Sequence, residues 1–286
     1  MASNSALRAA PNQGWLQGFS NLTRKENRRW WRTWRWFWQT LIWMAIVNGM
    51  LTLVLVVAPR AESPQARQQT DAIREAEGLP AQPPLDETGL TIFFIFSGLA
   101  IAVGVAILGQ EAVILERQTG TAAWVLSKPV SRSAFILSRL VADALGILVT
   151  MVLAQGAVAY VIIYSATGTA YPIGGFLAGM ALVYLTLLFY LTLTVMLGAL
   201  FNSRGAVIGL PMLLIFGYQL FLGLAPWLRD VMPWGLTISI GQTQPAMAIL
   251  LAQGQPVSNW LPLIATTLWI VLFTGVALWR FQAEDF

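Results

Sequence analysis

The 286-residue sequence contains no cysteine and no histidine. Disulfides, thiol nucleophiles and imidazole bases are thereby excluded, and with them the commonest ligands for zinc, copper and haem. A membrane-embedded protease or lipid-modifying transferase would need such groups, so that class is left without an inventory. Lysine occurs only as Lys25 and Lys128. Neither stands in the Gly-Lys-Ser or Gly-Lys-Thr context of a phosphate-binding loop. Charge is scarce too: 10% of residues are Asp, Glu, Lys or Arg, against about a quarter in ordinary soluble domains. No charged side chain falls near the middle of a long apolar stretch, which leaves an ion-driven carrier without a relay.

What is present is apolar length. Hydrophobic residues make up 57% of the chain. Six stretches satisfy the roughly 20 apolar residues that cross about 30 Å of hydrocarbon: Thr40 to Ala58, Leu90 to Leu108, Leu140 to Tyr164, Phe176 to Leu200, Ala206 to Leu224, and Trp260 to Leu278. The fold expected is an all-α integral membrane protein with six transmembrane helices. Residues 1–39 form a cytoplasmic N-terminus and residues 40–286 the six-span domain. The first 23 residues lack the apolar core and cleavage site of a signal peptide, so the N-terminus is expected to stay in place.

Orientation follows from Lys and Arg. The N-terminus, the loop 110–139, the turn at Arg204 and the C-terminal end hold thirteen of the seventeen basic residues; the loops 59–89 and 225–259 hold only Arg60, Arg67, Arg74 and Arg229. Both termini are therefore expected in the cytoplasm of a plasma membrane. Seven basic residues crowd the first 35 positions beside a span, which points to membrane lipid headgroups rather than nucleic acid as their partner. Trp30, Trp31, Trp34, Phe37, Trp38 and Leu41 recur at helical spacing opposite Arg28, Arg32 and Arg35, the pattern of an interfacial amphipathic helix.

The outer loops differ from each other. Ser63 and Pro64 start a short solvated helix that ends at Gly78 and the prolines beyond it. Pro226, Pro233, Pro245 and Pro256 chop the last outer segment into pieces too apolar for a plain connector. Short re-entrant helices are expected there, surrounded by protein rather than lipid.

Between the second and third spans, Glu111 and Glu116 extend the second helix, and Gly120 can close it in the left-handed conformation. Thr121 can cap a short helix running through Trp124 and Leu126 to Ser127, and Pro129 breaks it. Ser131 can cap the helix that becomes the third span. The result is a short crosswise helix beneath the membrane, a shape suited to mechanical coupling.

The succession Glu116, Gly120-Thr121, Leu126-Ser127, Pro129-Val130-Ser131-Arg132 resembles the signature loop of type-2 ABC transporter permeases, the membrane subunits of six-span exporters. The rest of the chain agrees with that plan, including the turn Phe201-Asn202-Ser203-Arg204. One departure is Ser138-Arg139 where the family usually shows Gly-Lys; Asp143 lies one turn on and can pair with Arg139. The resemblance implies an N-terminal elbow helix, and a coupling helix over Thr121 to Ser127 that docks on an ATP-binding cassette subunit. Glu111, Glu116 and Arg132 would border that contact, with Gly120, Trp124, Leu126 and Pro129 shaping it. It further implies that ATP is bound by that separate subunit, that this chain carries no cofactor or catalysis of its own, that a second permease subunit, identical or related, completes the pathway, and that the host is bacterial. Asn48 and Gln155 are the candidate pathway residues, and mild polarity throughout the spans suits an amphiphilic cargo. The competing reading is a non-transporting membrane scaffold in a larger complex.

Overall fold

A computed structural model describes residues 14–78, 82–110, 130–201, 203–239 and 244–283. Along the chain these form α1 (Phe19–Trp31), α2 (Arg35–Ala61), α3 (Pro64–Ala76), α4 (Leu85–Gln110), α5 (Arg132–Thr167), α6 (Ile173–Leu200), α7 (Arg204–Phe216), α8 (Tyr218–Leu224), α9 (Leu228–Val231), α10 (Trp234–Thr237), α11 (Met247–Ala252) and α12 (Leu261–Gln282). Among the described residues, five helices are each long and apolar enough to cross a membrane, namely α2, α4, α5, α6 and α12. The pair α7 and α8, bent by 64° at Gly217, makes a sixth if counted as one span.

Four of the apolar windows read from the sequence lie inside single helices, α2, α4, α5 and α6; the window from Ala206 to Leu224 is broken at Gly217 into α7 and α8, and the last begins at Trp260, one residue before α12. α5 begins at Arg132, eight residues before Leu140, because the Ser131 hydroxyl accepts from Ala134 N at 3.1 Å and caps it there. Hydropathy marks the lipid-facing stretch, whereas capping chemistry marks the helix end. The same holds at α3, where Ser63 accepts from Ala66 N at 3.2 Å and Gly78 takes a left-handed φ of 65° after the last turn.

At the N-terminal end the structure departs from the sequence expectation. The polar helix is α1, ending at Trp31, and the tryptophan-rich stretch from Trp34 onward belongs to the opening of α2. Heptad-like spacing of aromatics continues smoothly through both helices, so periodicity alone does not reveal the break at residues 32–34.

α6 is the centre of the bundle: 72% of its apolar window is buried, against 28% for α2 and 22% for α12. Phe176 at its start stacks on Phe93 of α4 at 5.9 Å and meets Tyr160 of α5 edge-on at 5.2 Å. The broken outer segment folds onto this core. All four residues of α10 are buried, as are Met247, Ala248, Ile249 and Ala252 of α11. Close approach depends on glycine: a Cβ at Gly175 or Gly179 of α6 would strike the carbonyl oxygens of Leu251 or Ala248, and one at Gly98 of α4 would strike Thr237. Arg229 holds the segment together by donating to Gln244 Oε1 at 2.8 Å and to the carbonyls of Gln244 and Pro245, each at 3.0 Å. Burial lowers its pKa, with neighbouring Asp230 acting in the opposite direction.

Two of the spans contain wide π-turns: Met44–Asn48 and Leu53–Val57 in α2, and Leu148–Leu153 in α5. A π-turn leaves a carbonyl without its usual i+4 donor and needs a partner from elsewhere.

Candidate coupling junction

Residues Val130 to Phe135 are the first described after the 111–129 segment, and two parts of the chain converge on them. The N-terminal stretch arrives first. Ser131 N donates to Gln17 O at 3.0 Å, and the Ser131 hydroxyl donates to Trp15 O at 2.6 Å. Gly18, at φ 82°, lets the backbone pass within van der Waals reach of the Val130 side chain, where a Cβ would sit 3.0 Å from Cγ2.

The end of the last span arrives second. Arg132 Nη1 donates to Gln282 O at 2.6 Å, and Gln282 Nε2 donates to Ser133 Oγ at 2.7 Å. One turn on, Phe135 stacks nearly parallel on Phe281, with 5.5 Å between centroids and 7° between planes.

Further up α5, the far end of α1 is pinned to the same helix. Trp30 is 1% exposed and its indole lies against Gly146, where any side chain would collide with the ring. Its Nε1–H donates to Asp143 Oδ1 at 2.8 Å. Arg139 Nε lies 3.9 Å from the other carboxylate oxygen, a charge pairing rather than a hydrogen bond. Arg35 sits over the Trp30 ring, 5.2 Å from its centroid. The expected pairing of Asp143 with Arg139 is therefore present. The placement of Trp30 among lipid headgroups is not, because a buried carboxylate needs a donor and the indole supplies one.

α1 is thus fastened to α5 at both of its ends, and the start of α5 is fastened to the end of α12. A push on the segment preceding Val130 would reach both termini of the described chain. A model of ABC-2 family transporter proteins matches residues 20–286, nearly the whole of this arrangement. The chain belongs to the ABC-2 transporter family. It is a multi-pass membrane protein and a permease component of an ABC transporter, a family whose members pair with an ATP-binding subunit and are not themselves the catalysts. No curated protein matches the chain.

Of the residues singled out from the ABC-2 loop, Glu111, Glu116, Gly120, Thr121, Trp124, Leu126, Ser127 and Pro129 lie outside the described residues. Arg132 is described, and it faces Gln282. Asn48 and Gln155 are brought together: Asn48 Nδ2 donates to Gln155 Oε1 at 2.9 Å, with Asn48 3% and Gln155 0% exposed. Gln155 Nε2 in turn donates to Thr40 O at 3.2 Å and to Thr150 O at 3.0 Å, the second of these inside the π-turn of α5. Gln155 thus gives the widened turn a side-chain donor.

An apolar groove of about 530 Å³ lies elsewhere, between α2, α4 and the α7–α8 bend, lined in part by Trp43, Leu99, Val103, Phe216 and Gln219. Its polar edge is the pair Gln219 and Tyr218, 3.1 Å apart. Gly146 and Gln282 do not stand out in the sequence, and Trp30 reads there only as an interfacial tryptophan. Each acts through a partner more than a hundred positions away, for which local spacing carries no signal.

Proposed function

We propose that the chain is the membrane-spanning permease subunit of an ATP-driven exporter, and that its 111–129 segment docks on a separate ATP-binding cassette subunit. The observation that carries this reading is the family match over residues 20–286 together with the convergence of both chain ends on Val130 to Phe135. A docking element transmits force only into a stiff neighbour, and the residues from Val130 to Phe135 are bonded both to the N-terminal stretch and to the end of the last span.

In this reading the short helix from Thr121 to Ser127 seats in the ATPase. Glu111, Glu116 and Arg132 border the contact, and Gly120 and Pro129 set the angles at which it leaves the flanking spans. ATP is bound and hydrolysed by the companion, since no phosphate-binding motif occurs within these residues. A second permease subunit completes the pathway. Gly205 and Gly209 support that role, because no atom of the described residues lies within 4 Å of a Cβ built at either, leaving one side of α7 open to a neighbouring helix. The apolar groove beside Trp43 and Phe216, with Gln219 at its rim, suits an amphiphilic cargo with one polar end.

Purification of the tagged chain from its native membrane in mild detergent tests the reading. An ATP-binding cassette protein is expected to accompany the wild type, and to be lost when Thr121 to Ser127 is replaced by a Gly-Ser linker while the membrane fold survives. Full retention of the companion after that replacement, or ATP hydrolysis without cargo movement in reconstituted vesicles, would contradict it, the latter in favour of a scaffold.

A further inference from the structure

α1 has two faces of different character. The inner one, with Leu22, Glu26 and Trp30, is turned to α5. The outer one carries Arg24, Arg28 and Arg32, spaced four residues apart and all exposed. At 1.5 Å per residue they make a row about 12 Å long. Among the described residues, the ion pairs of α1 join Glu26 to Lys25 at 3.5 Å and to Arg29 at 3.9 Å, and none reaches these three arginines. Like charges one turn apart disfavour a helix, so the row calls for an anion.

The same face forms a shallow groove of about 530 Å³, lined by the three arginines with Thr23, Asn27 and Trp31. Thr23 Oγ1 and Asn27 Oδ1 are buried there with no hydrogen-bond partner among the described residues. Such orphaned atoms are uncommon in a settled fold and mark a place where a polar group is missing. Trp31 is 40% exposed beside them, an amphipathic ring suited to the depth of lipid headgroups.

We propose that the outer face of α1 is a binding site for the phosphodiester of an anionic phospholipid. The arginines hold the phosphate oxygens, Thr23 adds a hydroxyl donor, and Asn27 Oδ1 accepts from a headgroup hydroxyl such as those of glycerol. Arg35, drawn over the Trp30 ring, lies outside the site. Because Trp30 pins the opposite face to Asp143, an occupied site presses α1 onto α5 and steadies the start of the third span. The inference rests on the chain lying in a bilayer and is independent of whether an ATPase docks on it.

The test is native mass spectrometry of the full chain from nanodiscs of phosphatidylcholine mixed with phosphatidylglycerol. Wild type is expected to retain phosphatidylglycerol in preference to phosphatidylcholine. R24Q/R28Q/R32Q is expected to bind it roughly a hundredfold more weakly, at about fivefold for each basic residue near a membrane surface. Arg280→Gln, off the groove, should leave retention unchanged, and added inorganic phosphate should displace nothing. Should the triple variant fail to fold, the wild-type preference and Arg24→Gln alone decide the matter. Equal retention of both lipids by wild type, undiminished retention by a folded variant, or displacement of the lipid by inorganic phosphate would overturn the proposal.

Discussion

The Trp30 indole donates a 2.8 Å hydrogen bond to Asp143 Oδ1, across 113 positions of sequence. It is the bond that joins the polar N-terminal helix to the third span, and it satisfies a carboxylate that burial would otherwise make costly. Trp30→Phe keeps the ring that rests on Gly146 and removes the N–H. The expected cost is about 1–3 kcal/mol, the range for leaving a buried acceptor without its donor. Asp143→Asn keeps an acceptor for the indole and should cost less at that contact. Thermal unfolding in nanodiscs, read alongside proteolysis at residues 32–35, checks both.

Asn48 and Gln155 form a second pair whose members are unequal. Gln155 serves three atoms, whereas Asn48 leaves its own Oδ1 buried with no partner among the described residues. Gln155→Leu should therefore destabilise more than Asn48→Leu, which removes an orphaned acceptor along with the bond to Gln155 and a weak one to Met44 Sδ at 3.3 Å. A double-mutant cycle is expected to give a coupling of about 0.6 kcal/mol, typical of hydrogen bonds between membrane helices.

The glycines of α6 and α7 make opposite demands. Gly179→Leu would drive a side chain into the Ala248 carbonyl and the Phe94 ring, so α11 should detach and the protein should fail to accumulate in a folded state. Gly209→Ala meets no atom of the described residues within 4 Å and gains helix propensity of up to about 1 kcal/mol. Size-exclusion chromatography with a thermal-shift reading separates the two outcomes. Loss of assembly in Gly209→Leu with the subunit still folded would place a neighbouring helix on that side of α7.

At the junction, Gln282→Ala removes the bond to Ser133 Oγ, and Phe135→Ala removes the stack on Phe281. Both leave residues 111–129 untouched. The expected outcome is normal association with the ATP-binding subunit and reduced cargo movement per ATP hydrolysed, because force is then received but poorly passed on. Association and transport measured in parallel on the same variants supply the check.

Much of the architecture is readable from residue pattern alone. Five of the six apolar windows, the Ser63 cap, and the division of the last outer segment by its prolines all depend on neighbours within a few positions, and all are found in the structure; the sixth window is split at Gly217 into two helices bent by 64°. The pairing of Asp143 with Arg139 is of the same kind, one helical turn apart. What escaped the sequence is set by distant neighbours. Trp30 looks like one more interfacial tryptophan until Gly146 and Asp143 are seen beside it. Gln155 looks like a mild polar residue in a span, until the π-turn of α5 supplies the carbonyl it serves. The break at residues 32–34 is hidden because aromatic spacing runs through it unchanged.

The central claim is that an ATP-binding subunit grips the segment between the second and third spans. A chain without native cysteine allows one thiol to be placed at will. Trp124→Cys lies in that segment, and Ile73→Cys, on an exposed position of α3, serves as the control. With a short bifunctional maleimide reagent in native membranes, the account predicts a cross-link from position 124 to an ATP-binding cassette subunit and none from position 73. A cross-link from position 73, or none from position 124 under conditions where the two proteins purify together, would contradict it.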